Sequence, residues 1–213
     1  MNHSIEDAIT QLANGGIIIL ADDSNREDEG DFICASELVT ADTINFMITV
    51  GRGLVCQAIT AERAREMQLP LMAENNNALH HTNFTISIDY RYGTTTGISC
   101  PDRAATIRAL ADSKTVPEDF ARPGHIFPLI AHPGGLNMRR GHTEASVLLA
   151  HMAGLQPNAV ICEILNPDGT MARGEQLEEL SREHGLPFIN IQQLTEYIKE
   201  KDYDFSANTT AAR

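Results

Sequence analysis

The apolar runs of this chain are short and of two kinds, and that combination limits the architectures open to it. Ile17 to Leu20 is an unbroken, largely β-branched run after two glycines, suited to a strand covered on both faces. Phe84, Ile86, Ile88 and Tyr90 instead alternate with Thr85, Ser87 and Asp89, the period of a strand with one wet face. Leu54 to Ile59, Val160 to Ile164 and Phe188 to Ile191 are further strand candidates. Helical patterns separate them. Ser4 and Asp7 can cap a first helix with Ile5, Ala8, Ile9 and Leu12 inward, and others fit Thr40 to Val50, Ala61 to Gln68 and Ala104 to Ser113. Thr143 to Met152, Gln176 to Glu183 and Gln193 to Glu200 complete the set.

Two strand types among unevenly spaced helices predict an α+β fold: a single domain with a mixed β-sheet and packed helices, in two or three layers. That domain is expected to span residues 1–205, with 206–213 a flexible tail that has little to bury. Lys114 to Arg140 shows no clear period and reads as a long irregular segment, either functional or wrapped against another chain.

Charge and composition exclude several roles. A formal net charge of −13 with no basic run argues against nucleic-acid or anionic-membrane partners. No stretch approaches the roughly 18 apolar residues of a membrane span, and the first residues lack the basic start of a secretory signal. Cys34, Cys56, Cys100 and Cys162 lie far apart with no CxxC pair, as expected of thiols in a reducing cytosol, so a cytoplasmic location is expected. Neither GxGxxG nor GxxxxGK[ST] occurs.

Polar residues gather in three places. From Asp22 to Asp31, six carboxylates and one arginine follow directly on the first apolar strand. Such a cluster repels itself unless it holds cations or lies in bulk water, so it is either a solvated turn or a cation site. Gly30 allows a tight fold there, Arg26 supplies a donor for an anionic ligand, and Glu27, Glu29 and Asp31 would share one side of an extended chain. The second gathering surrounds the start of the Thr143 helix. Gly141 leaves its amino end open, and Arg139 or Arg140 with the free amides would suit a phosphate. His142 beside it is either a core histidine or a metal ligand, and a histidine with carboxylates suits Mg2+ or Mn2+ better than zinc. The third is dispersed: hydroxyls at Thr94 to Thr96, His125 in a proline-bounded stretch, and Glu163 as a lone acid in an apolar strand, costly unless paired or metal-bound.

The stretches NREDEGDF, YGTTTGIS, ARPGHIFPLIAHPGG, RRGHTEA and VICEILNPDGTMAR, in that order, resemble the 3,4-dihydroxy-2-butanone 4-phosphate synthase family of riboflavin biosynthesis. The likeness extends over about residues 4 to 200. It implies a lyase that converts D-ribulose 5-phosphate to L-3,4-dihydroxy-2-butanone 4-phosphate and formate. Mg2+ or Mn2+, two ions per site, and a homodimer with the site near the subunit contact are implied too. Carried onto this sequence, the resemblance makes Glu27 and His142 metal ligands and has Arg26, Glu27 and Asp31 contact the substrate. Arg139, Arg140, Gly141, His142 and Thr143 would hold the phosphate end. His125 and Glu163 match two essential side chains, Glu163 also touching substrate, and Glu29, Cys56 and Thr96 match further active-site positions.

For such a ketose phosphate, chelation by divalent ions would ease enediol formation while a base removes the C3 proton and an acid helps water leave C1. Glu29 or Asp31 is expected in early proton transfer with Cys56 nearby, and His125 and Glu163 in the rearrangement and formate release. Some relatives carry a fused GTP cyclohydrolase II domain; this chain is expected to be the single-function form. The polar segment Met72 to Asn83 is expected near the site. An isomerase stopping at the enediol would share these features, whereas a nucleotide- or RNA-binding module is disfavoured by the acidity and the lack of a basic or aromatic strand face.

Overall fold

Alternation along the strands divides the core in two. Ile18, Leu20, Ile33, Ala159 and Ile161 point into one apolar layer, and Ile19, Phe32, Cys34, Val160 and Cys162 into the other. These residues lie on β1 (Ile18–Ala21), β2 (Gly30–Ala35) and β6 (Ala159–Glu163). With β3 (Cys56–Ile59), β4 (Ile88–Tyr90), β5 (Phe120–Ile130) and β7 (Phe188–Asn190) they form one sheet, ordered β4-β5-β3-β6-β2-β1-β7. β1 pairs with β7 and β3 with β5 in parallel, and the remaining pairs are antiparallel, so the sheet is mixed as predicted. This computed structural model describes residues 3–23 and 26–203; the predicted tail at 206–213 and the boundary at 205 lie outside the described residues.

One face of the sheet packs against α1 (Ile5–Ala13), α5 (His142–Met152) and α7 (Ile191–Glu200), the other against α2 (Ala41–Phe46), α4 (Cys100–Ala111) and α6 (Glu175–His184). Three layers result. A short α3 (Ala61–Glu66) contributes Ala64 to a smaller cluster with Leu110 and Phe120 near the β4 edge. Ser4 caps α1 with its hydroxyl on the Asp7 amide while Asp7 answers on the Ser4 amide, the box the sequence predicts.

Two expectations fail in this region for one reason. Lys114 to Arg140 is not irregular: it contains β5, an eleven-residue strand hidden from pattern reading by Pro123, Gly124 and Pro128. Nor is the predicted strand from Phe84 wet on its polar side. Only Ile88–Tyr90 is a strand there, and Thr85 and Ser87 are buried while Phe84 and Ile86 are half-buried. The hydroxyls turn inward because β5's backbone offers them partners. Thr85 donates its N–H (2.9 Å) and hydroxyl (3.1 Å) to the Pro128 carbonyl, and the Ser87 hydroxyl accepts the Gly124 N–H at 3.1 Å.

The polar gatherings meet at one end of the sheet. β1 ends at Ala21 opposite Gly30, the first residue of β2, so residues 22–29 are a hairpin connection. β6 ends at Glu163, paired with Asp31. The amino end of α5 lies above them on the same face.

Candidate active site

The acidic hairpin connection is wound around a single carboxylate. Asp22, its side chain fully buried, accepts the Glu29 N–H on Oδ1 (3.0 Å) and the Glu27 N–H (3.3 Å) and Arg26 Nη1 (2.7 Å) on Oδ2. Arg26 also meets Glu27 Oε2 at 2.8 Å. Asp28 adopts a φ of 55°, which breaks the extended chain on which Glu27, Glu29 and Asp31 were expected to share a side. Asp31 alone lies in β2, Glu29 stands 3.7 Å from Arg173, and Glu27 is carried toward α5.

There Glu27 meets His142, the first residue of α5. His142 Nδ1 is 3.8 Å from Glu27 Oε2 and 4.0 Å from Asp31 Oδ1, too far for a hydrogen bond to either, and the buried Nε2 has no hydrogen-bond partner among the described residues. The buried imidazole thus stands beside two carboxylates without a hydrogen bond to either. Asp22, Glu27 and His142 each offer a ligand atom within 4.8 Å of the others. The sequence places Asp22 in the acidic run but gives it no individual role there. With three donors already on its carboxylate, Asp22 frames the loop. Oxygen donors with an imidazole fit Mg2+ or Mn2+.

Beneath this pair runs a row of polar side chains across the sheet. Asp31 and Glu163 are direct partners on β2 and β6, and Cys56 on β3 pairs with Ile161, two residues from Glu163. All take the face covered by α5, as does His125 by alternation with Phe127 on β5. Glu163 Oε2 accepts the Leu54 N–H at 2.9 Å. Burial, then the charge of Glu163, lifts the Asp31 carboxyl well above the ordinary carboxylate range. Burial likewise raises Glu163, and it raises Glu29 with help from the Glu27 charge. Cys56 is held as a thiol by burial and the two nearby acids, and burial pushes His142 down toward the neutral form that can bind a metal.

The other expected residues are placed apart. His125 Nδ1 lies 2.7 Å from Asp89 Oδ2, and its N–H donates to Asp89 Oδ1 at 2.9 Å. β3 intervenes between His125 and Glu163, a gap of two strand spacings, about 10 Å. Thr96 is exposed in a loop closed by Asp102, which accepts from the N–H and hydroxyl of Thr95 and the N–H of Gly97. Gly97, at φ +96°, lets the Asp89 carboxylate and His125 ring pack where a side chain would stand. Asp89 is a second partner that sequence reading missed.

The expected phosphate group is divided. Arg139 donates to Glu144 Oε2 (2.6 Å) and Thr82 Oγ1 (2.8 Å), so its guanidinium ties α5 to the 72–83 segment. Arg140 reaches Asp23 at 3.2 Å and stays half exposed. Gly141 is the N-cap without a side-chain cap, and Thr143 is buried in the first turn. No side chain of the N-cap residue caps the amides of that turn, which also carries the Glu144 carboxylate.

The profile described as 3,4-dihydroxy-2-butanone 4-phosphate synthase matches residues 6–197. The chain belongs to this family. A 3,4-dihydroxy-2-butanone 4-phosphate synthase from Oceanobacillus iheyensis is 53% identical over 198 residues, covering 93% of this chain and 95% of that protein. The riboflavin biosynthesis protein RibBA of Bacillus mycoides is 52% identical over 202 residues, covering 95% of this chain but 51% of that protein. The chain thus spans about half the length of that longer relative. A solved family member in complex with two magnesium ions superposes with a TM-score of 0.90 at 38% identity, covering 94% of this chain and 98% of that one. Family membership agrees with the fold and motifs read from sequence. No helix among the described residues is long and apolar enough to cross a membrane.

Proposed function

We propose that this chain converts D-ribulose 5-phosphate to L-3,4-dihydroxy-2-butanone 4-phosphate and formate, as a divalent-metal-dependent lyase of riboflavin biosynthesis. The observation that carries the reading is the meeting of Glu27 and His142 directly above the Asp31–Glu163 pair. The catalytic domain is taken as residues 1–205, working in the cytoplasm. Glu27 and His142 would hold Mg2+ or Mn2+, two ions per site in our reading, and a solved relative is in complex with two magnesium ions. When bound, such ions supply polarisation of adjacent carbonyl and hydroxyl oxygens of the sugar, which lowers the cost of forming an enediol.

The chain's own groups divide the remaining work. Arg140 and the open amides of Gly141, His142 and Thr143 bind the phosphate, while Arg26 and Asp31 contact the sugar. Arg139 acts by holding the 72–83 segment. Asp31, whose carboxyl burial and the Glu163 charge lift well above the ordinary range, is suited to deliver a proton to the hydroxyl leaving C1. Glu29, more exposed than Asp31, is suited to take the C3 proton. Cys56 stays protonated and shapes the floor. Glu163, beside Asp31 across the β2–β6 pair, and His125, oriented by Asp89, serve the carbon shift and the loss of C4 as formate.

A homodimer completes the reading. Leu54, beside Glu163, and Tyr92 and Ile98, in the loop that carries Thr96, are large apolar side chains about half exposed. A second copy covering them would bring the His125–Asp89 pair and Thr96 to a shared site. The deciding experiment measures formate from D-ribulose 5-phosphate with excess Mg2+ and again with EDTA. Formate equal to the four-carbon phosphate formed, and abolished by EDTA, is expected. Substrate loss without formate would indicate an isomerase, and metal-loaded protein with no turnover would defeat the reading.

A further inference from the structure

We propose that the end of the sheet opposite the candidate active site carries a second binding site, which takes a small organic cation with two ammonium groups on a flexible chain. β2 and β3 run to that end and β6 starts from it. Glu37, just beyond β2, and Asn158, just before β6, line a cavity there of about 430 Å3. α5 begins at His142 and brings His151 of its last turn to the same cavity. Those two positions lie roughly 14 Å apart along the helix axis, so the cavity is separate from the metal pair.

The wall is rich in acceptors and short of donors. Glu37, Glu62 and Glu66 supply carboxylates, and Arg63 is the only Lys or Arg among the lining residues. Its guanidinium is already engaged. Nε donates to the Leu110 carbonyl (2.9 Å), Nη2 to the Asp112 carbonyl and Thr115 Oγ1 (2.7 Å each), and Nη1 to Glu66 (3.0 Å). Glu37 accepts the Gln156 N–H at a long 3.4 Å. Burial lowers His151, so its ring is neutral and adds no positive charge. The carboxyl ends of α4 and α5 contribute further partial negative charge.

Asn158 points to a ligand independently of these acids. It is 3% exposed, lines the cavity, and its buried Oδ1 has no hydrogen-bond partner among the described residues. Ser36, whose N–H donates to the Asn158 carbonyl at 3.1 Å, has a hydroxyl that is likewise buried and unpartnered. Native structures rarely leave a buried amide oxygen without a donor, and an ammonium group brings three. A metal ion fits less well. Among the described residues, ligand atoms gather within 4.8 Å of one another at Asp22, Glu27 and His142, and the acids of this cavity form no such group. Carboxylates spread around a wall suit two separated charges, with the methylenes between them against Leu155 and Pro157.

The test titrates the full chain with 1,4-diaminobutane by calorimetry, in excess Mg2+ so that the diamine is not drawn to the acidic 22–29 turn. Saturable binding of one equivalent is expected. Glu37→Gln should weaken it about tenfold, and Asn158→Ala about threefold or more. 1-Aminobutane, with a single ammonium group, should bind about tenfold more weakly than the diamine. Because Glu37 holds one long bond, Glu37→Gln keeps the fold, which circular dichroism verifies. Glu179→Gln, which removes an exposed acid of α6, should leave the isotherm as in wild type. No saturable binding by wild type, or binding unchanged in both Glu37→Gln and Asn158→Ala, would overturn the proposal. Equal weakening by Glu179→Gln would overturn it too, since attraction to net charge alone would then account for the heat.

Discussion

Three donors converge on Asp22, and an amide there would keep one acceptor while turning an N–H toward groups that themselves donate. Asp22→Asn should loosen the 26–29 turn and withdraw Glu27 from His142. Because orienting partners of a metal site commonly matter 10- to 100-fold, Mg2+ affinity is expected to fall about tenfold or more. Calorimetry with Mg2+ checks this, and an affinity within twofold of wild type would deny Asp22 its organising role. Glu163 and His142 could be suspected from sequence because an acid in an apolar strand and a histidine at a helix start are locally unusual. The partners that Asp22 and Asp89 take could not. Asp89 meets a histidine 36 residues away, and Arg139 fixes the 72–83 segment through a threonine 57 residues away; no local pattern encodes either meeting.

At the scale of elements, α5 links core and chemistry. Nine of its eleven residues are buried, because it lies between the sheet and the helices α1 and α7, and it delivers His142 at its first position. Gly141 precedes it where a Cβ would strike the Arg139 guanidinium and approach Glu144 Oε2 to 2.9 Å. Gly141→Ala is therefore expected to cost about 1–3 kcal/mol and to lower metal affinity by shifting Arg139. Thermal melting and Mg2+ titration of the variant test both effects, and a wild-type melt with wild-type affinity would mean the arginine yields at no cost. The helix itself was legible in sequence, as was the strand before the acidic run, whereas β2 after it was not read. Nor was β5, since prolines and glycine mask a strand whose carbonyls are bonded by neighbours that reading along the chain does not reveal.

Across the whole molecule, the site is placed at the expense of stability. Asp31 and Glu163 have folded-state values raised above the unfolded ones, near 4, so protonation favours the folded state. Their contribution is present below about pH 4 and lost as pH rises through the raised values. His142, lowered by burial, acts in the opposite sense, gaining stability as pH rises past its folded value. The clean measurement is thus a difference: metal-free Asp31→Asn should melt about 3 °C or more above metal-free wild type at pH 8, with the gap shrinking toward pH 5. Added Mg2+ should raise wild type more than the variant. No gap at pH 8 would mean that Asp31 ionises without penalty. The sequence by itself determined the mixed α+β architecture, the buried first strand, most helices and the motifs that carry family membership, because periodicity, capping and ordered motifs are written along the chain. Tertiary structure alone decided that Asp22 frames the acidic turn, that Asp31 and Glu163 share a burden of charge, and that His142 stands beside Glu27. Those relations arise from strand register and from helix placement over the sheet, which depend on the packing of the whole core rather than on any local stretch.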